Sequence, residues 1–253
     1  MGAGVPAQRI GEKVWLFGAQ VSQAHGTCAE FCVVPAWKAI RLPDGVSLEH
    51  GACLGVPAVT AVEALNAGGS VANKRVLVAG GAGRVGAYAV QFARACGAHV
   101  TATASARDCA SVEQMGASRC FDYTDPELVR NLRDDSGKRG YDLIIEPRFG
   151  TNIALDARVL SRGGVIAAYG FDDNPSPVMP ALPLVMNNAV CRFIGIFALH
   201  RAAQEAALEQ VCRLTEQPGI EHRVGLQVAL TEAAQAHQRI ETGQVAGAAL
   251  ICI

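Results

Sequence analysis

The sequence predicts an α/β fold with a doubly wound parallel sheet, preceded by a β-rich segment. Three observations carry this. From Arg75 onward, short apolar runs alternate with stretches of helical periodicity. A glycine cluster, Gly80-Gly81-Ala82-Gly83-Arg84-Val85-Gly86, sits where the first of these runs meets the first of these helices. Before Gly55 the pattern differs: short β-prone runs are punctuated by Gly, Pro and Asp.

Taken in order, residues 14–17 (Val-Trp-Leu-Phe) and 30–34 (Glu-Phe-Cys-Val-Val) read as strands, with a turn at Leu42-Pro43-Asp44-Gly45. Residues 49–65 read as helical turns, with Pro57 near the start of a second helix. Residues 76–79, 100–104, 143–145 and 165–168 read as buried strands. Between the first two, Val85, Tyr88, Ala89, Phe92, Ala93 and Cys96 recur at the spacing of one helix face. Asp125-Pro126-Glu127 reads as a helix start. Residues 175–183 read as a proline-rich loop, 191–197 as a strand and 202–214 as a helix. Residues 225–230 (strand), 231–240 (helix) and 248–253 (strand) close the chain. Strand–helix alternation of this kind calls for parallel strands covered on both faces.

Composition narrows the function classes. The chain has 253 residues, a net charge of -1 and 50% hydrophobic residues, an ordinary globular balance with length for one or two domains. Such a charge offers no electrostatic basis for binding nucleic acid or an anionic membrane. No long charge-free apolar stretch reads as a membrane span, and the first residues lack the apolar core of a signal peptide, so the cytoplasm is the default expectation. Nine scattered cysteines suit reduced thiols. Cys28 and Cys32, with His25 nearby, allow a metal site, but small apolar side chains on a buried strand face are the stronger expectation.

The glycine cluster carries the chemistry. Gly81-x-Gly83-x-x-Gly86 between a strand and a helix permits a tight turn, close approach of backbone to a pyrophosphate and close helix–strand packing. The helix N-terminus behind it offers free N–H groups to an anion. The motif alone is weak; in strand–turn–helix context it points to a dinucleotide. The stretch 103–107 lacks the acid that grips ribose hydroxyls in NAD sites, Asp108 falling later and in the next helix. Ser105 and Arg107 instead suit a 2′-phosphate, which favours NADPH.

With these pieces in hand, the chain resembles the zeta-crystallin-like quinone oxidoreductases of the medium-chain dehydrogenase/reductase superfamily. The resemblance runs through Gly11-Glu12-Lys13-Val14-Trp15, Ala29-Glu30-Phe31, residues 42–47 and 51–61, the turn at 79–86, Gly116-Ala117, Asp122-Tyr123 and residues 163–170. It implies a Rossmann domain at 59–217 and a partial GroES-like β domain built from both chain ends, residues 1–58 and 218–253. It implies NADPH as hydride donor and a quinone or related unsaturated carbonyl as acceptor. It places Thr60 beside the nicotinamide, Tyr123 near the 2′-phosphate, and Gly170, Phe171 and Phe197 around the nicotinamide pocket, alongside Gly81, Ala82, Gly83, Arg84, Val85 and Gly86 on the phosphates. Relatives carry more of the β domain ahead of this chain's first strand, so the chain is expected to start mid-domain. Arg84 stands where relatives often have a small residue, Glu146-Pro147-Arg148-Phe149 departs from the usual Asp-x-Val-Gly, and residues 105–116 run about one residue short.

Zinc-dependent relatives need Cys, His and acidic ligands and a four-cysteine lobe; neither set is visible, so a zinc-independent enzyme is expected. No histidine or serine sits in a nucleophile or base constellation, and no catalytic side chain is assigned. The apolar run 193–197 reads as an edge strand, which a second copy would close as a homodimer. The competing expectation is a non-catalytic NADPH-binding protein lacking a complete substrate domain.

Overall fold

The computed structural model describes residues 2–171 and 174–253. In chain order its elements are β1 (Val14–Leu16), β2 (Ala39–Arg41), α1 (Leu48–Asn66), β3 (Arg75–Val78), α2 (Arg84–Ala95), β4 (His99–Ala104), α3 (Cys109–Gln114), β5 (Arg119–Asp122) and α4 (Leu128–Asp135). There follow β6 (Tyr141–Glu146), α5 (Phe149–Val159), β7 (Leu160–Ala168), α6 (Ala181–Met186), β8 (Val190–Phe193), α7 (Arg201–Thr215), β9 (Val224–Ala229), α8 (Ala233–Glu241) and β10 (Ala248–Cys252). They fall into two compact units: residues 60–198, and residues 1–59 together with 199–253. Helix α7, which the sequence reading groups with residues 59–217, clusters with the second of these.

The unit of residues 60–198 holds a six-stranded sheet in the order β5-β4-β3-β6-β7-β8, every neighbouring pair parallel. The chain winds outward from β3 to β5, returns to β6 and winds the other way. This is the doubly wound Rossmann sheet, with its switch point between β3 and β6. The strands read as unbroken apolar runs because helices cover both faces. Leu143, Ile144 and Ile145 point alternately to opposite sides of the sheet, and each is fully buried. Helix α2 buries every residue from Gly86 to Ala93, with the Tyr88 and Phe92 rings 5.4 Å apart.

Helix α1 is two helical segments joined at Gly55, whose φ of 25° breaks the first before Pro57 opens the second. This matches the two-segment reading of residues 49–65.

The unit built from both chain ends has two small sheets, β1–β2 antiparallel and β9–β10 parallel. Trp15 and Phe17 are buried, and Cys53 packs with Ala248 and Leu250, joining early and late segments. Arg9 donates to the carbonyls of Ala36 (3.1 Å) and Ala39 (2.6 Å) and pairs with Glu12.

Several expectations fail locally. Residues 30–34 form no strand, and Phe31 and Val33 stand 88% and 86% exposed, because a β-prone run without a paired neighbour gains nothing from extension. Cys28 and Cys32 are therefore exposed rather than on a buried strand face. β8 ends at Phe193 rather than continuing to 197, since the chain turns at Gly195, where the Ala198 N–H donates to the Gly195 carbonyl (2.9 Å). The loop read over 175–183 ends early: α6 begins at Ala181, with Pro183 in its first turn, where no helical N–H bond is lost. α4 starts at Leu128, two residues past the expected proline. Asp125 Oδ1 accepts the Glu127 N–H (2.8 Å) and holds the chain in a turn before the helix.

Candidate functional site

The turn after β3 is fixed from three sides. The Ala79 N–H donates to the Ile145 carbonyl (3.0 Å), the Gly81 N–H to the Thr103 carbonyl (2.8 Å) and the Gly83 N–H to the Gly80 carbonyl (2.9 Å). The Gly80 N–H also reaches Thr103 Oγ1 (3.3 Å). A Cβ on Gly86 would lie 2.2 Å from the Gly80 carbonyl oxygen, so only glycine lets α2 come this close to the turn. Gly81 is buried against Val112 and Ala102, and Ala82 and Val85 are half-buried. Gly83 is exposed at the α2 N-cap with no side-chain cap, and Arg84, the first residue of the helix, is exposed too. The first-turn N–H groups of this twelve-residue helix thus open at the switch point of the sheet.

On one flank, the Tyr123 N–H donates to the Ala104 carbonyl (3.0 Å) and brings the end of β5 beside the end of β4. Ser105, Arg107 and Tyr123 therefore share one stretch of the sheet edge. The Arg107 side chain is 78% exposed and Tyr123 is exposed. Asp108 is the unexpected member. It is the N-cap residue of α3 rather than part of the helix. Its Oδ2 accepts from Ser105 Oγ (2.5 Å) and lies 3.4 Å from Arg107 Nε. The sequence places no acid at this position; the structure puts the Asp108 carboxylate on both residues assigned to the phosphate.

On the other flank, Pro147 is wedged between two turns. A Cβ on Gly80 would meet Pro147 Cγ at 3.4 Å, and one on Gly170 would collide with the Pro147 carbonyl oxygen at 2.4 Å. Phe171 follows Gly170 and is 67% exposed. The Ile194 N–H donates to the Ala168 carbonyl (2.7 Å), which sets the turn carrying the half-exposed Phe197 beside the end of β7. Every expected site residue except Thr60 lies along this one edge; Thr60 is buried within α1.

The sequence of α2 through α7 decides the family. The profile described as zinc-binding dehydrogenase matches residues 85–213. The chain belongs to that family, within the medium-chain dehydrogenase/reductase superfamily. This zinc-binding dehydrogenase homologue is 30% identical to the quinone oxidoreductase of Rattus norvegicus, over 95% of the chain and 72% of the relative. Its fold superposes on an alcohol dehydrogenase superfamily protein from Novosphingobium aromaticivorans with a TM-score of 0.85 at 22% identity, covering 96% of this chain and 74% of that one. A mycobacterial protein solved in complex with NADPH gives a TM-score of 0.80 at 25% identity, covering 91% of this chain and 74% of the other. Family and fold together support an oxidoreductase.

The family's name raises the question of zinc. Among the described residues no group of three His, Cys, Asp or Glu side chains is disposed to hold a metal, and Cys28 and Cys32 stand in an irregular exposed segment.

Beneath the edge lies a buried acid pair. Glu146 Oε1 accepts the Arg148 N–H (2.5 Å) and Asn152 Nδ2 (3.0 Å), which fixes the turn around Pro147. Burial pushes the Asp156 carboxyl well above the usual range, and the Glu146 charge adds to it, so its neutral form is favoured. Sequence reading missed Asp108 and Pro147. An Asp directly before a helical run, an N-cap candidate, is the detectable signal for the first; the second is a contact between strand ends and has none.

Proposed function

We propose that this chain is a zinc-independent oxidoreductase that transfers a hydride from NADPH to a quinone or a related unsaturated carbonyl. The observation that carries it is the Gly86–Gly80 approach, which leaves the α2 N-terminus open at the switch point as a pyrophosphate seat. The likeness to a quinone oxidoreductase and to a fold solved with NADPH supports the same reading. The bound nicotinamide supplies the hydride, and the acceptor takes that hydride and a proton from solvent. The chain's part is to seat the pyrophosphate on the 81–86 turn, orient the ring along the 170–171 and 197 turns, and exclude water. Ser105, Arg107 and Tyr123 take the 2′-phosphate.

Asp108 favours a second reading, in which its carboxylate grips ribose hydroxyls and NADH is preferred. Fluorescence titration with both cofactors separates the two. NADPH preference in the wild type, with Arg107→Glu weakening NADPH far more than NADH, supports the first; the reverse preference, lost in Asp108→Asn, supports the second. Oxidation of NADPH by a small quinone then tests catalysis, and saturable binding without turnover would leave a non-catalytic NADPH-binding protein.

β8 is the sheet's outer strand, with Val190 and Phe193 exposed. Pairing of two such edges makes a homodimer, which sedimentation tests. All nine cysteines are free and no helix among the described residues is long and apolar enough to cross a membrane, consistent with residence in the cytoplasm.

A further inference from the structure

Two thiols meet where α3 packs on β5. Cys109 opens α3 and Glu113 lies one turn further along the same face. Glu113 Oε1 accepts the Cys120 N–H (3.0 Å), which ties that face to β5. That tie brings Cys120 beside Cys109, one turn from Glu113 on α3, and the two thiols interact. Both side chains are half-buried, so a small reagent can reach them. Cys120 pairs across the sheet with Ala102, against which Gly81 packs, and Cys109 directly follows Asp108. The thiol pair thus lies under the glycine turn and beside the carboxylate that holds Ser105 and Arg107.

We propose that Cys109 and Cys120 form a redox-modification site, at which a low-molecular-weight disulfide converts the pair to an intramolecular bridge. The two side chains are neighbours across the α3–β5 contact, where Glu113 already ties the Cys120 backbone to α3, so closing to the S–S length of about 2.05 Å asks for a local adjustment. The Cys109 thiolate attacks one sulfur of the small disulfide, whose S–S bond breaks and releases one thiol. Cys120 then gives its proton to solvent and attacks the Cys109 sulfur, releasing the second thiol. Two protein thiols are oxidised and one small disulfide is reduced to two thiols. Burial raises the Cys120 thiol, with the Cys109 thiol and the Glu113 and Asp108 charges adding, so the closing step quickens as pH rises.

The bridge would pin the start of α3, and with it Asp108, against the phosphate residues. NADPH would then compete with a fixed carboxylate. This consequence, unlike the bridge, rests on the cofactor reading above.

The test incubates the reduced full chain with oxidised glutathione and maps peptides by mass spectrometry. The expected product is a 109–120 cross-linked peptide, reversed by dithiothreitol and absent in Cys109→Ser. NADPH affinity is expected to fall severalfold on oxidation of the wild type, more than NADH affinity, and to stay unchanged in oxidised Cys109→Ser. Separate glutathione caps on the two cysteines, or thiols left free while Cys28 and Cys32 react, would overturn the proposal. Native-state alkylation of the wild type before and after oxidation gives the same answer with no variant to fold: both thiols must be lost together. A bridge that leaves cofactor binding unchanged overturns the coupling. Reduced wild type that binds neither cofactor counts against the cofactor reading, while the mapping still judges the bridge.

Discussion

The sheet unit and the unit built from both chain ends bury their apolar residues by different rules. In β3 and β6 successive residues go to opposite faces and both faces are closed, so Val76, Leu77 and Val78, like Leu143, Ile144 and Ile145, are almost completely buried. In β9 burial alternates along the strand, because a two-stranded sheet closes only one face. The first arrangement leaves a continuous apolar signal in the sequence and holds its turns rigidly. The second leaves a half-signal, and apolar residues such as Phe31 and Val33 can stand in solvent beside it. The functional edge belongs to the first kind: its turns are set by strands that cannot move without opening the core.

The sharpest way to break that contrast is Gly86→Val. Its first side-chain carbon would meet the Gly80 carbonyl oxygen at 2.2 Å, and neither backbone can retreat. A loss of about 3 kcal/mol in denaturant unfolding is expected, at the upper end for overpacking, together with loss of cofactor binding by titration. A variant that keeps both would show that the strand-end turn is not the rigid part of the molecule.

How much of this was legible follows the same divide. The runs at β3, β4, β6 and β7 announce themselves because both faces are buried, with Thr101 and Thr103 of β4 the polar exceptions. β5, Arg-Cys-Phe-Asp, is an edge strand with one neighbour and polar ends, and its sequence carries no such run. β8 reads longer in the sequence than it is, because Ile194, Ile196 and Phe197 continue the apolar pattern through a turn that only Gly195 betrays. In the site, the glycine spacing was readable because it is local. The role of Asp108 is local too, a turn in which its N–H donates to the Ser105 carbonyl (2.9 Å), but the same spacing fits an acid inside the helix as well as one capping it. Pro147 was hidden for a further reason: it acts on Gly80 and Gly170, which lie on two other strand ends.

A middle-sized effect tests the cost of burial inside the sheet unit. Asp156 titrates higher in the folded chain than in the unfolded one, chiefly through burial and further through Glu146. Its contribution is therefore complete below the unfolded value of about 3.9 and is lost as pH rises toward and through the folded value. Asp156→Asn carries no such charge. Urea unfolding from pH 5 to pH 9 is expected to fall more steeply for the wild type than for the variant. Equal slopes would mean that the carboxyl is not sealed from water, and that the core under the site is looser than the strands above it.

The smallest effect probes the other side of the comparison. Phe31 is a large aromatic in a stretch whose sequence asks for a strand, yet it lies 88% exposed in an irregular segment. A side chain that leaves water neither in the folded nor in the unfolded chain has no transfer energy to lose. Phe31→Ser should then shift unfolding by no more than about 0.5 kcal/mol, the range of an ordinary surface change. Against this, Ile144→Ala in the sheet should cost between about 2 and 5 kcal/mol, since the cavity cannot collapse between two packed faces. Were Phe31→Ser to cost as much as Ile144→Ala, the ring would have a covering partner in solution, and the β-prone run at 30–34 would owe its apolar character to that contact.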